Sequence, residues 1–285
     1  MGLIPVFLVA VAMATSGCGN SGSVALDPVA QAADVTSNAG GAHMSLTAQV
    51  SAGSLPATFT MSGEGFFNYK SREGALSLDM SGLPAAASTS APSGKLRMEE
   101  IFKSSTVYIG SSLFAGKLPG GAHWMKLDLA RLGGGLGFDV QQLAGGQSNP
   151  AQLLDYLKAA GSVAAVGHEL VRGATTTHYR GTVDLNRIVD FAPSGSRAQM
   201  RAALAKLIAQ TGVSSLPVDV WVDSHRLVRR MTIALSLLSA GQKLQVRITI
   251  ELFGFGSTAA VTPPPATETY DATSMVLAGL RASGG

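Results

Sequence analysis

Apolar and polar residues alternate along much of this chain. In His43–Val50, Met44, Leu46, Ala48 and Val50 alternate with Ser45, Thr47 and Gln49, the period of a strand with one buried face. The same period recurs in Thr58–Tyr69, Ala75–Met80, Lys95–Phe102, Thr106–Leu113 and His123–Asp128. Gly and Pro clusters, among them Leu83-Pro84 and Leu118-Pro119-Gly120-Gly121, separate most of these segments. Strands in series with joins this short predict an antiparallel meander. Val163–Val171 and Thr175–Leu185 form a further pair around Gly173. In the last block Val218, Val220 and Val222 alternate with Asp219, Trp221 and Asp223, and a turn follows at Ser224–Arg226. Met231, Ile233, Leu235 and Leu237 then continue the period, and Leu244, Val246, Ile248, Ile250 and Leu252 close it. One face of this sheet is apolar and the other meets water.

Two segments change to a helical period. Asn149-Pro150 offers an N-cap with proline at the first helical position, Gln152 could complete a capping box, and Gly161 stands as the stop. Leu153, Leu154 and Leu157 make one apolar face between them. A second helix spans about Ser196 to Gln210, with Met200, Leu204, Leu207 and Ile208 at helical spacing, basic residues opposite, and Gly212 after it. The fold class expected is α+β: a large curled antiparallel sheet, a half-barrel of about ten or eleven strands, with helices covering its concave apolar face.

Composition narrows the function. Of 285 residues, 46% are hydrophobic and 14% charged, which excludes a highly charged disordered chain. The net charge of +3 is spread without a basic cluster, so no nucleic-acid partner is expected. There is one cysteine, Cys18, and therefore neither an internal disulfide nor a Cys/His zinc cluster. Cys18 follows an apolar run from Leu3 to Met13 and the small residues Ala14 to Gly17. At about eleven residues the run is shorter than the roughly 20 of a spanning helix, and it reads as a processing signal. Ser16-Gly17-Cys18 resembles the end of a bacterial lipobox, with Thr15 where such motifs usually carry Leu. An ordinary cleaved secretory signal is the alternative, and both readings export the protein. The organisation expected is a lipoprotein-type signal peptide at 1–17, a flexible tether at 18–41, one domain at 42–271 and a C-terminal tail at 272–285.

Catalytic chemistry is hard to find. His43, His123, His168, His178 and His225 form no HExxH or HxH pair, and there is no GxSxG elbow, so neither a catalytic residue nor a metal or other cofactor is expected. Gly133-Gly134-Gly135-Leu136-Gly137 lacks the spacing of a phosphate loop and reads as a flexible loop. Asp219 and Asp223, about 13 Å apart at strand rise, read as part of a solvated sheet face.

Leu216-Pro217-Val218-Asp219-Val220-Trp221-Val222-Asp223, followed by Leu227-Val228-Arg229-Arg230-Met231, resembles the strand-turn-strand signature of the actinobacterial LolA-like lipoproteins of the LppX and LprG type. His178-Tyr179-Arg180-Gly181-Thr182-Val183-Asp184 resembles their central strand, and Gly256 to Asp271, with Val261-Thr262-Pro263-Pro264-Pro265, resembles the end of their domain. His225-Arg226 stands in the hairpin where relatives often have Gly. The resemblance implies a half-barrel that binds acyl chains of a lipid or glycolipid, for lipid transport or envelope assembly, anchored at the extracytoplasmic face of the cell membrane through an acylated, palmitate-bearing Cys18. The apolar faces that could line such a cavity carry Leu154, Leu157, Leu204, Ile208, Val218, Val220, Val222, Ile233, Val246 and Ile248, and ordinary core packing is an equal reading of each, since a buried stripe looks the same in both cases. A non-enzymatic sensor or protein-interaction module with an envelope protein partner is the second reading, and a hydrolase the third.

Overall fold

A computed structural model describes residues 28–52, 58–82, 96–114, 116–136, 160–191, 195, 197–239, 242–257 and 259–283. Among the described residues twelve strands form one sheet: β1 (Gly41–Ala52), β2 (Phe59–Asn68), β3 (Glu73–Ser81), β4 (Leu96–Lys103), β5 (Thr106–Ser111), β6 (Trp124–Asp128), β7 (Ala160–Val171), β8 (Ala174–Asp184), β9 (Ser215–Asp223), β10 (Val228–Ser239), β11 (Gln242–Phe253) and β12 (Thr269–Asp271). Their order is β12-β6-β5-β4-β3-β2-β1-β11-β10-β9-β8-β7. The first six strands meander away from β1 on one side, and β11 back to β7 fills the other, so β1 pairs with β11. The sheet does not close, since β7 and β12 are its edges. This is the half-barrel that the alternating segments predict, with one addition: β12, three residues long, lies parallel to β6.

Register assigns the faces. Met44, Leu46 and Ala48 on β1 sit opposite Leu252, Ile250 and Ile248 on β11, and these apolar residues point inward together. His43, Ser45, Thr47 and Gln49 share the outer face with Phe253, Glu251, Thr249 and Arg247. The helices pack on the inner side: α1 (Pro28–Ser37), α2 (Leu129–Leu136), the single turn α3 (Leu185–Ile188), α4 (Arg197–Thr211) and α5 (Thr273–Ser283).

Several expectations need correction. The region expected as a tether at 18–41 contains α1, whose Val29, Ala32, Ala33 and Thr36 are fully buried. Small side chains there let the helix lie close against β9 and β10. The Thr36 hydroxyl donates to the Ala32 carbonyl at 2.6 Å and accepts the Val228 N–H at 2.8 Å, which joins α1 to β10. Residues 272–285, expected as a tail, hold α5, whose Val276 and Leu277 pack on the core. Gly133 to Leu136 lie in α2 rather than in a loop. Each helical glycine costs about 1 kcal/mol relative to alanine, and the burial of Leu129 and Leu132, together with the Asp128 carboxylate accepting from the Arg131 N–H at 3.0 Å, offsets that cost. The helix expected over Asn149–Gly161 lies outside the described residues up to 159, and Ala160 and Gly161 belong to β7. The second helix is present as α4, and Gly212 ends it at φ 70° with its N–H on the Ile208 carbonyl at 2.8 Å, the left-handed stop that favours glycine.

Candidate functional site

Burial along the inner face divides it in two. At one end Met44, Leu46, Phe67, Leu76, Leu78, Val218, Val220, Met231, Ile250 and Leu252 are all buried in one cluster with Val29, Ala32 and Ala33 of α1. At the other end the same strands carry apolar side chains that are only half-buried: Val50 on β1, Phe59 and Met61 on β2, Met80 on β3, Ile233 and Leu235 on β10, and Leu244, Val246 and Ile248 on β11. Register sets them side by side. Val50 faces Val246 and Phe59, Met61 faces Met80, Ile233 faces Ile248, and Leu235 faces Val246. From β3 to β10 this apolar band crosses five adjacent strands, roughly 19 Å at ordinary strand spacing.

The expected lining residues separate accordingly. Ile233, Val246 and Ile248 belong to the half-buried band. Val218 and Val220, each 1% exposed, and Val222 are sealed in the closed end instead, because β9 lies under α1. Leu204 and Ile208 of α4 are half-buried, and Ile208 packs against the core with Met200. Leu154, Leu157 and Cys18 lie outside the described residues.

Polar groups at the inner side are few among the described residues. Glu100 interrupts the inward series Leu96, Met98, Glu100, Phe102 on β4 and stands opposite Leu76 and Ile109. Its signal in the sequence is that break in alternation. Tyr69 is buried against Phe67, with ring centroids 5.9 Å apart. Burial pushes its phenol above the ordinary range, so it stays neutral. No group of three His, Cys, Asp or Glu side chains among the described residues could hold a metal ion.

The outer face holds contacts that alternation alone leaves hidden. His178 lies between two carboxylates, with Nδ1 3.1 Å from Glu169 and Nε2 2.7 Å from Asp219, and its ring stacks on Trp221 at 4.2 Å. This brackets β7, β8 and β9 together. Asp223 is buried, not solvated: its Oδ1 accepts the N–H groups of His225 and Leu227, and its Oδ2 takes the Arg229 guanidinium at 2.7 Å. That carboxylate caps the β9–β10 turn, where Arg226 adopts φ 61°. Arg172, in the β7–β8 turn, reaches Glu251 at 2.7 Å and Ser45 at 3.0 Å and lies 4.0 Å over the Phe253 ring. Burial raises the Glu251 carboxyl, but hydrogen bonds and charge from Arg230 and Arg172 outweigh it and hold the group below its usual range.

This architecture defines an open α+β half-barrel with a one-sided apolar interior, the class implied by the motifs. No family model matches the chain. It is 40% identical over 116 residues to an uncharacterized 31.2 kDa protein of Streptomyces griseus, covering 40% of this chain and 37% of that one. It is 31% identical over 113 residues to a putative lipoprotein of Streptomyces coelicolor, covering 38% and 30%. The chain thus spans about a third of the length of the curated relatives it matches. Among solved structures it is similar to LprF from Mycobacterium bovis, at 13% identity, 84% and 97% coverage and a TM-score of 0.41. It is also similar to the lipoprotein LppX from Mycobacterium tuberculosis, at 15% identity, 82% and 98% coverage and a TM-score of 0.42.

Proposed function

We propose that this protein is an exported, membrane-anchored lipoprotein that takes the acyl chains of a lipid or glycolipid against the half-buried end of its inner face, for lipid transport or envelope assembly. One observation carries the reading: the band formed by Val50, Phe59, Met61, Met80, Ile233, Leu235, Leu244, Val246 and Ile248 is apolar, continuous across five strands and only half-buried. An acyl chain laid on such a band gains roughly 0.8 kcal/mol for each methylene removed from water. Binding of that kind needs few polar groups, which suits an inner side whose described residues carry few, Glu100 on β4 among them. Acylation at Cys18 would supply the anchor, and two or more chains hold a protein stably on a membrane.

Native mass spectrometry with solvent extraction tests the ligand. The full chain, expressed in a host that makes bacterial envelope lipids, should carry an added mass that extracts into organic solvent. Ile248→Trp, which fills the open end, should lower its occupancy at least tenfold. A bare polypeptide mass, or occupancy unchanged in Ile248→Trp, overturns the proposal. Radiolabelled palmitate tests the anchor separately, since label that persists on Cys18→Ala excludes acylation at that thiol.

A further inference from the structure

The outer face carries two depressions. One, about 530 Å³, is lined by Ser45, Thr47, Ser62, Glu64, Asp79 and Arg97, among others. The other, about 540 Å³, continues along the same two strands past Gln49, Ser51, Thr58 and Thr60 to Ser236, Gln245 and Arg247. Outward residues of β1 run from one into the other in the order Ser45, Thr47, Gln49, Ser51, and those of β2 in the order Glu64, Ser62, Thr60. Together they form a trough about 20 Å long at strand rise. Short hydroxyl side chains at its centre leave the hollow. At its head, neighbouring strands place three rings in a row: His43 has Phe66 at 6.2 Å on one side and Phe253 at 5.8 Å on the other. Arg172 closes that end, within 4.0 Å of Glu64 and 3.0 Å of Ser45.

The chemistry of this trough selects its occupant. Arg97 and Arg247 line it together with Glu64 and Asp79, and Arg172 at its head is held by Glu251, so it has no surplus of positive charge for a phosphate or nucleic acid. β1 and β2 lie inside the sheet with both ladders paired, so a peptide strand has no free edge to extend. The lining is mainly hydroxyls, amides and charged groups, with a smaller apolar part from Leu46, Ala234, Leu235 and Val246, so an acyl chain gains little there. An elongated, neutral, hydroxyl-rich ligand meets every requirement. Ser, Thr and Gln side chains exchange hydrogen bonds with ring hydroxyls, and the carboxylates of Glu64 and Asp79 accept from them in pairs. In the aromatic row Arg172 already lies over Phe253, and the exposed His43 beside Phe66 offers a face on which the C–H side of a sugar can lie.

We infer that the outer trough binds a glycan chain, on the face of the sheet opposite the acyl-chain band. The inference does not rest on the proposed lipid function, because the paired strands separate the two surfaces.

Calorimetric titration of the folded full chain tests it, using soluble peptidoglycan strands and α- and β-linked glucan oligomers, all free of lipid, as probes. At least one should bind saturably. Ser62→Arg, which fills the trough from an exposed position, and Asp79→Asn should each weaken that binding at least tenfold with an unchanged melting temperature. Thr47→Arg, also exposed, replaces Ser62→Arg if the latter fails to fold. Ile248→Trp, on the inner face, should bind the glycan as the parent does while losing lipid. If the parent binds none of these probes, or if the outer-face variants bind undiminished, the inference is overturned whatever the outcome for lipid.

Discussion

The two ends of the inner face are built from the same strands by the same alternation, yet one is sealed and the other half-open. On β1, Met44 and Leu46 are 2% and 4% exposed, whereas Val50 further along is half-buried. On β11, Leu252 and Ile250 are sealed and Ile248, Val246 and Leu244 are half-buried. Helices fill the closed end: α1 sets Val29, Ala32 and Ala33 into its cluster and packs on β9 and β10, and Leu129, Leu132, Leu185 and Ile188 join from α2 and α3. A sealed apolar surface contributes stability. A half-open one leaves part of that free energy to be gained by a ligand.

The largest effects should come from breaking the closed end. Leu46→Ala removes a buried side chain with no room to relax and should cost about 2–5 kcal/mol, read by denaturant unfolding. Val50→Ala, four residues along the same strand, should cost clearly less, and equal losses would erase the distinction between the ends. Next, Thr36→Val leaves the buried Val228 N–H without an acceptor, so it should cost about 1–3 kcal/mol while the β10 segment loses amide-exchange protection. Ile248→Trp adds bulk at a half-buried position and should cost no more than about 1–3 kcal/mol, less than Leu46→Ala, although it displaces lipid. A loss as large as that of Leu46→Ala would mean the band is ordinary core. Arg226→Gly should raise stability by about 1 kcal/mol, relieving a left-handed residue in the β9–β10 turn.

The smallest effect is one of pH. Because the folded pKa of Glu251 is lowered, its contribution is fully present above the unfolded carboxylate value of about 4.3 and is lost as pH falls through the folded value. The Asp271 carboxyl behaves alike, lowered first by its hydrogen bond with the Thr273 hydroxyl and further by Lys126, but it lies at an exposed edge where solvent screens it. Acid unfolding curves should therefore flatten below pH 4 in Glu251→Gln relative to the parent.

What could be read locally was read. Alternation marked eleven of the twelve strands, because one buried face imposes a period of two whatever lies opposite. The left-handed stop at Gly212 was legible for the same reason, since a helix end is a local event. The candidate site was legible only in part. Ile233, Val246 and Ile248 are half-buried, whereas Val218, Val220 and Val222 show the same alternation and are buried under α1. A buried stripe looks the same whether a helix or a ligand covers it.

The residues alone determined that the chain makes a one-sided antiparallel sheet with a helix after its eighth strand. Only the tertiary structure decided the rest. Packing against the sheet outweighed weak local propensity in α1 and in the glycines of α2. The parallel strand β12 is three residues long and has no period to reveal it. Arg172 reaches from the β7–β8 turn to Glu251, 79 residues away, and to Ser45, 127 residues away. Such contacts join residues distant in sequence, and no local pattern encodes which of them meet.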